Sequence, residues 1–232
     1  MINLIRGVGV RAAMTFSIVA RDSLTGAFGA GVATGTPVVG GLVLHLTADV
    51  GAIATQGLST NPLYGIRGLC LLEAGLPAED VCRKLIGEDD GRESRQLVII
   101  DRSGQTASWT GADNVGVTHA ILANDVAVAA NWVVSQEVVV AVKAAFESSD
   151  APAFAGKLID ALTAGELAGG DSRGLRSAAV RVVCRNDPPV DLRADFDLQP
   201  IFGLGEIRRA TLGSDFPAFL ARVPTIADPT RR

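Results

Sequence analysis

The chain has 232 residues, 48% of them apolar and 20% charged, and carries a formal net charge of −4 from 21 Lys and Arg against 25 Asp and Glu. That balance excludes the basic stripe that a nucleic-acid partner requires, and no apolar run reaches the roughly 18–20 residues of a membrane-spanning helix. Aromatic residues make up only 5%, so the core has to be assembled from Val, Ala, Leu and Ile.

Met1–Ala13 carries Arg6 and Arg11 and lacks the apolar run of a signal peptide. Residues 1–14 therefore read as a removable leader or a misassigned start, and a cytoplasmic location follows by default. Thr15–Arg21 alternates Thr15, Ser17, Val19 and Arg21 with Phe16, Ile18 and Ala20, the period of a strand. Taken alone, Thr15 is an ordinary strand threonine. If the chain began at Thr15, however, one residue would hold both a hydroxyl nucleophile and, in its α-amine, a base.

The turn Asp22–Gly26 leads into a second strand, Ala27–Thr34, whose Gly29 and Gly31 suit close approach between layers rather than a phosphate loop. Thr36–Asp49 reads as a loop with a short strand, and Gly51–Gln56 as another strand. Asn61 and Pro62 predict a helix start and Gly75 its stop, with Leu63, Ile66, Cys70 and Ala74 on the inner face. A shorter helix runs from Pro77 to before Gly87 with Val81 and Leu85 inward, and Glu88–Glu93 reads as a solvated loop. Cys70, Cys82 and Cys184 are odd in number and widely spaced, and His45 and His119 lie far apart, so no metal-ligand pattern emerges. The cysteines read as reduced, buried, small apolar residues.

Gln96–Asp101 and Thr106–Thr110 form a hairpin through Ser103 and Gly104. Asp125–Val133 reads as a strand buried on both faces. Asn131 within it is costly to bury without partners, so it serves either a structural network or a site. Helices follow from Ser135 to about Ser148 and over about Pro152–Ala168. Strands are expected at Leu175–Cys184 and Val190–Ala194, then a helix over Phe202–Val223 broken near Gly213 and Pro217. Hairpins outnumber crossovers, which favours an α+β fold with mainly antiparallel sheets layered with helices. The domain expected on this reading spans residues 15–223, with a flexible tail over 224–232.

Five passages in this order resemble a known family: Thr15–Asp22, Val50–Gln56, Asn61–Gly68, Gly169–Gly174 followed by Ser177–Ala179, and Val190–Arg193. Together they are similar to the bacterial domain-of-unknown-function family 1028, which is grouped with the N-terminal nucleophile (Ntn) hydrolases. The resemblance implies a four-layer αββα sandwich of two mainly antiparallel sheets. Members often begin Met-Thr-Phe-Ser, which points to Met14 as the natural start and Thr15 as the nucleophile. One departure is Ala129-Ala130-Asn131, where many relatives carry Gln-Gly-Asn.

The expected chemistry is hydrolysis of an amide or peptide-like bond of a small polar substrate through a Thr15 acyl-enzyme. Asn131 and a backbone N–H near Gly57 are candidate oxyanion donors. Asp171 is a catalytic candidate, and Arg173, in the same glycine-flanked loop, can lower the amine pKa or fork onto a substrate carboxylate. Gln56 at a strand end can orient substrate. No metal and no cofactor are implied; the expected partners are a small amide and further copies of the chain, since such sandwiches often assemble through outer helices. The alternative is a non-catalytic ligand-binding or oligomeric domain.

Overall fold

The structure, a computed structural model, describes residues 14–169, 174–213 and 215–232. β1 (Thr15–Arg21) and β2 (Phe28–Thr34) form the expected hairpin. A turn of helix, α1 (Gly40–Val43), precedes β3 (Leu44–Thr47) and β4 (Gly51–Gln56), so the 36–49 passage is more ordered than its glycines suggest. Next come α2 (Leu63–Glu73), α3 (Ala78–Gly87), β5 (Gln96–Asp101), β6 (Thr106–Thr110), β7 (Val117–Ala123) and β8 (Val126–Val133). The chain continues through α4 (Glu137–Ser148), α5 (Phe154–Leu167), β9 (Ser177–Val183), β10 (Val190–Ala194), α6 (Pro200–Leu212) and α7 (Phe216–Leu220).

Among the described residues the strands form two antiparallel sheets, one ordered β10-β9-β2-β1-β8-β7 and the other β3-β4-β5-β6. Strand alternation decides which core each side chain joins. Phe16, Ile18 and Ala20 of β1 pack with Val138 and Val142 of α4, Leu158 and Leu162 of α5, and Leu204 of α6. Val19 enters a second core between the sheets, with Val32, Leu44, Ala54, Val98 and Ala129. On the far side of the smaller sheet, Ile53, Leu97 and Ile99 pack with Tyr64 and Leu72 of α2 and Val81 and Leu85 of α3. Each fully buried Leu or Ile contributes about 1.5–3 kcal/mol relative to exposure.

Close approach is set by missing side chains. A Cβ at Gly29 would lie 2.7 Å from Leu158 and 2.8 Å from Phe154, so α5 settles directly on the β2 backbone. α2 shows a correction of the same origin. Its buried residues are Tyr64, Gly65, Gly68 and Leu72, whereas Leu63 and Ile66 are each 57% exposed and Cys70 is exposed. The His45 ring occupies the space a side chain at Gly65 would need, and Ile53 that at Gly68. Backbone contact at two glycines thus turns the helix away from its larger apolar residues. Of the cysteines only Cys82 is buried.

The expected solvated loop over residues 88–93 is instead pinned by a carboxylate. Asp89 accepts from Tyr64 Oη (2.8 Å), Asn61 Nδ2 (3.1 Å), Arg95 Nε (3.1 Å) and the Gly91 N–H (2.8 Å). β7 was not anticipated because a half-buried edge strand with a register shift between Val117 and His119 lacks a clean period of two. At the chain's end, Thr225 is buried and the Ala227 N–H donates to Arg185 O (3.0 Å).

Candidate active site

At one end of the space between the sheets the apolar core gives way to two facing polar rows. Across the larger sheet, register aligns Ser177, Thr34, Thr15 and Asn131 on β9, β2, β1 and β8. Across the smaller one, it aligns Gln56, Gln96 and Thr110 on β4, β5 and β6. Residues opposite one another in a sheet share a face. Polar residues at matching strand ends are therefore brought together by register alone. Ser177, Thr34, Thr15, Asn131, Gln56 and Gln96 are all buried.

Two backbone carbonyls fix the orientation of three amides in this cluster. Gln96 Nε2 donates to Ala130 O (3.0 Å) and Thr110 Oγ1 (3.0 Å), which turns its Oε1 toward Gln56. Gln56 Nε2 then donates to Gln96 Oε1 (2.8 Å), Asn131 Oδ1 (3.1 Å) and, more weakly, Thr15 O (3.3 Å). A carbonyl only accepts, so Ala130 orients Gln96, Gln96 orients Gln56, and Gln56 orients Asn131. The Asn131 amide is left with its Nδ2 donor facing away from Gln56. Two buried oxygens, Gln56 Oε1 and Ser17 Oγ, have no hydrogen-bond partner among the described residues. Such orphaned polar atoms are uncommon in a well-satisfied interior.

The Thr15 hydroxyl has a defined direction as well. Thr34 Oγ1 donates its single proton to Met14 O (2.7 Å), so at the 2.9 Å contact between the two hydroxyls Thr15 is the donor. Met14 O also accepts from the Gly35 N–H at 3.3 Å. Beside Asn131, Trp132 has φ +61°, a left-handed conformation unusual for a bulky residue. Val117 pairs Val133 while His119 pairs Ala130, so Asn131 and Trp132 together oppose Thr118 in a β-bulge. A bulge re-aims the side chains around it, here at the strand end that carries Asn131.

Of the sequence-predicted residues, Thr15, Gln56 and Asn131 meet in one hydrogen-bonded cluster. Gly57 (φ +122°) follows Gln56 in the chain, and a Cβ there would meet Ser94 O, Asn114 Oδ1 and Gln96 N. Asp171 and Arg173 lie outside the described residues. His119 makes no hydrogen bond to this cluster among the described residues. Sequence reasoning missed Thr34, Gln96 and Thr110 as site residues. For Thr34 and Gln96 the signal was a polar residue at the end of an otherwise apolar strand, as in Gln96-Leu-Val-Ile-Ile, whereas Thr110 ends the mixed strand Thr-Ala-Ser-Trp-Thr and carried none.

Elsewhere, charge serves the fold. Partial burial works against the Asp89 carboxylate, but hydrogen bonds from Tyr64, Asn61, Arg95 and Gly91 outweigh it and hold its pKa well below the usual range. Burial lowers the pKa of His45. No group of three or more His, Cys, Asp or Glu suited to a metal occurs among the described residues, and no helix there is long and apolar enough to cross a membrane.

The model of the Family of unknown function DUF1028 matches residues 15–204. A crystal structure of a protein of that family from Silicibacter pomeroyi superposes with a TM-score of 0.89 at 34% identity, covering 94% of this chain and 98% of that one. The chain belongs to DUF1028. A fainter likeness, to Anbu (ancestral beta-subunit) from Yersinia bercovieri, has a TM-score of 0.38 and 11% identity over 90% of this chain and 98% of that one. No curated protein matches the chain.

Proposed function

We propose that this chain is an N-terminal nucleophile hydrolase that cleaves an amide or peptide-like bond of a small substrate through a Thr15 acyl-enzyme. The carrying observation is chemical: among the described residues the buried Thr15 hydroxyl contacts Thr34, and the neighbouring cluster of Gln56, Gln96, Thr110 and Asn131 holds no group that titrates. Within this set the only base within reach of Thr15 is its own α-amine, once Met14 is gone. An α-amine has a reference pKa of about 8, so a useful fraction is neutral near pH 7. The family match beginning at Thr15 supports the same boundary.

In the proposed reaction Thr15 Oγ bonds to the substrate carbonyl carbon as the α-amine takes the hydroxyl proton. The amine then passes that proton to the leaving nitrogen as the C–N bond breaks. Water, deprotonated by the same amine, hydrolyses the ester and restores the threonine. Asn131 Nδ2 is the oxyanion donor in this scheme, held by Gln56; such a donor contributes about 2.7–4 kcal/mol.

The wider reading comprises a four-layer αββα sandwich over residues 15–223, a removable or untranslated segment 1–14, and a cytoplasmic location. It also includes a homo-oligomer, for which exposed Phe202, Phe216 and Phe219 on α6 and α7 provide an apolar surface. Sedimentation at the mass of one chain would remove the oligomer.

The test is covalent. A β-lactone opens on an activated hydroxyl and leaves an acyl ester, so a chain prepared to begin at Thr15 should gain one reagent mass on that residue. The same chain with Thr15→Ala should gain none. No labelling of a folded chain beginning at Thr15 refutes the hydrolase. One observation favours the non-catalytic alternative: Met14 is 1% exposed and its carbonyl holds two hydrogen bonds, so an uncut chain satisfies this end of β1. A native protein found to begin upstream of Thr15 would support that alternative.

A further inference from the structure

At β3 the two sheets cease to match. β3 is an edge of the four-stranded sheet and packs against β9 of the six-stranded one, whose last strand, β10, extends past it. Alternation sends Ala179 and Val183 of β9 into the core between the sheets, and Arg181 between them shares that face. A guanidinium therefore stands where this apolar core meets the open edge. Arg181 pairs with Ala30, and Ala30 with Val19, so it lies two strands across and four residues along from Thr15, roughly 17 Å away.

Two clefts meet at this side chain. The larger, of about 430 Å³, is walled on one side by residues 224–229, and its lining includes Leu46, Val183, Pro189, Pro224 and Ile226. The smaller, of about 310 Å³, lies between β3 and α2 and includes His45, Ile66, Leu69 and Glu73. Leu46, Thr47 and Arg181 line both.

Arg181 is short of partners. Its Nε is buried and has no hydrogen-bond partner among the described residues. Asp191, opposite it on β10, comes within 4.0 Å of that nitrogen, which allows an ion pair but is too long for a hydrogen bond. The side chain is nevertheless 37% exposed, so its open part is not Nε. Arginine lays its stem on apolar surface and keeps its outer nitrogens accessible. A planar fork with spare donors beside apolar walls suits a carboxylate, which it can hold through two parallel hydrogen bonds. The larger cleft has room for the rest of such a molecule, since small-molecule sites span about 300–1,000 Å³. Its lining carboxylate, Asp187, already accepts from the Cys184 thiol at 3.4 Å, whereas Glu73 stands in the smaller cleft.

We propose that the cleft between β3, β9 and residues 224–229 is a second binding site, for a small monocarboxylate with an unbranched apolar chain. Arg181 forks the carboxylate, and the chain lies against Leu46, Val183 and Ile226. The site is separate from Thr15 and does not depend on the hydrolase reading.

The full chain is titrated with sodium octanoate and, separately, with 1-octanol, while the methyl NMR signals of Leu46, Val183 and Ile226 are followed. Octanoate should bind saturably, shift all three residues and bind at least tenfold more tightly than octanol. Arg181→Met, which keeps an unbranched stem and removes the charge, should bring the two ligands to equal affinity. No saturable octanoate binding, equal affinities in the unsubstituted chain, shifts that bypass these methyls, or a preference that survives Arg181→Met overturns the site. Should Arg181→Met fail to fold, Asp191→Asn serves in its place, because it keeps Arg181 and removes the carboxylate that competes for it. That variant should bind octanoate more tightly and octanol unchanged, and any other response overturns the site. The β-lactone result at Thr15 is a separate measurement, so either proposal can fail without the other.

Discussion

Gln56→Glu tests the orientation of the amide cluster more directly than any truncation. The substitution keeps the shape of a side chain that is 2% exposed and replaces Nε2, which faces acceptors at 2.8, 3.1 and 3.3 Å, with an oxygen. Protonated, the introduced carboxyl can serve the nearest of them, Gln96 Oε1. Ionised, it faces three oxygens. The Thr15 carbonyl cannot change role, Gln96 is locked by Ala130 O, and only Asn131 can turn to donate. Burial and missing donors therefore raise the folded pKa of that carboxyl above the unfolded value of about 4.3, by roughly 3 units for a group this enclosed. An acid whose folded pKa is raised is most stable, relative to wild type, below about pH 4.3, and loses stability as pH climbs toward about 7. Three units correspond to about 4 kcal/mol, and at about 2–4 °C per kcal/mol for a chain of this length the deficit in melting temperature should widen by about 10 °C between pH 5 and pH 8. Thermal unfolding followed by circular dichroism at both pH values measures it. A deficit independent of pH, or one that shrinks toward pH 8, would refute the donor assignment of Gln56 and with it the direction given to Asn131.

Gly165→Ala on α5 puts a methyl 2.6 Å from Val142 and 2.7 Å from the Phe16 ring, so overpacking should cost about 1–3 kcal/mol in a denaturant titration. Asp89→Asn leaves Arg95 short of its anion in a site where the two side chains are 18% and 16% exposed, and should cost about 2–3 kcal/mol at pH 7. Because the Asp89 pKa is depressed, its contribution is present above about pH 3.9 and fades as pH falls below it, so wild type and variant should converge in melts at low pH. Burial pushes the Cys82 thiol up to about 11, with Glu79 adding to the effect, whereas Cys70 is exposed. Ellman's reagent at pH 8 should modify Cys70 in the native chain and reach Cys82 only after unfolding.

The physical limits of reading the sequence show at particular residues. Strand β1 was legible to its last residue because period-two alternation and a glycine-closed turn are local properties, and β4, β5, β6 and β10 were legible for the same reason. The inner face of α2 was not. Apolar count favoured Leu63 and Ile66, but the helix packs through Gly65 and Gly68, and close backbone approach depends on what lies opposite, namely His45 and Ile53. Asp89 read as one carboxylate among several in a polar run, and only the fold brings Tyr64, Asn61 and Arg95 around it.

The candidate site divides in the same way. Thr15, Gln56 and Asn131 were identifiable singly, the first by its place at the head of a strand and the others as polar residues in apolar strands, where burial demands a partner. Which partners they take was decided by register between strands up to 116 positions apart in the chain, from Thr15 to Asn131, and by the facing of two sheets. Thr34 and Gln96 became part of the site only through that pairing. Local spacing determined most of the strands and helices of this protein, β7 excepted, because dihedral preference and hydrophobic period act over a few residues. The polar cluster at the end of β1 was decided by tertiary structure alone, because a hydrogen bond depends on distances of about 3 Å that no spacing along the chain specifies.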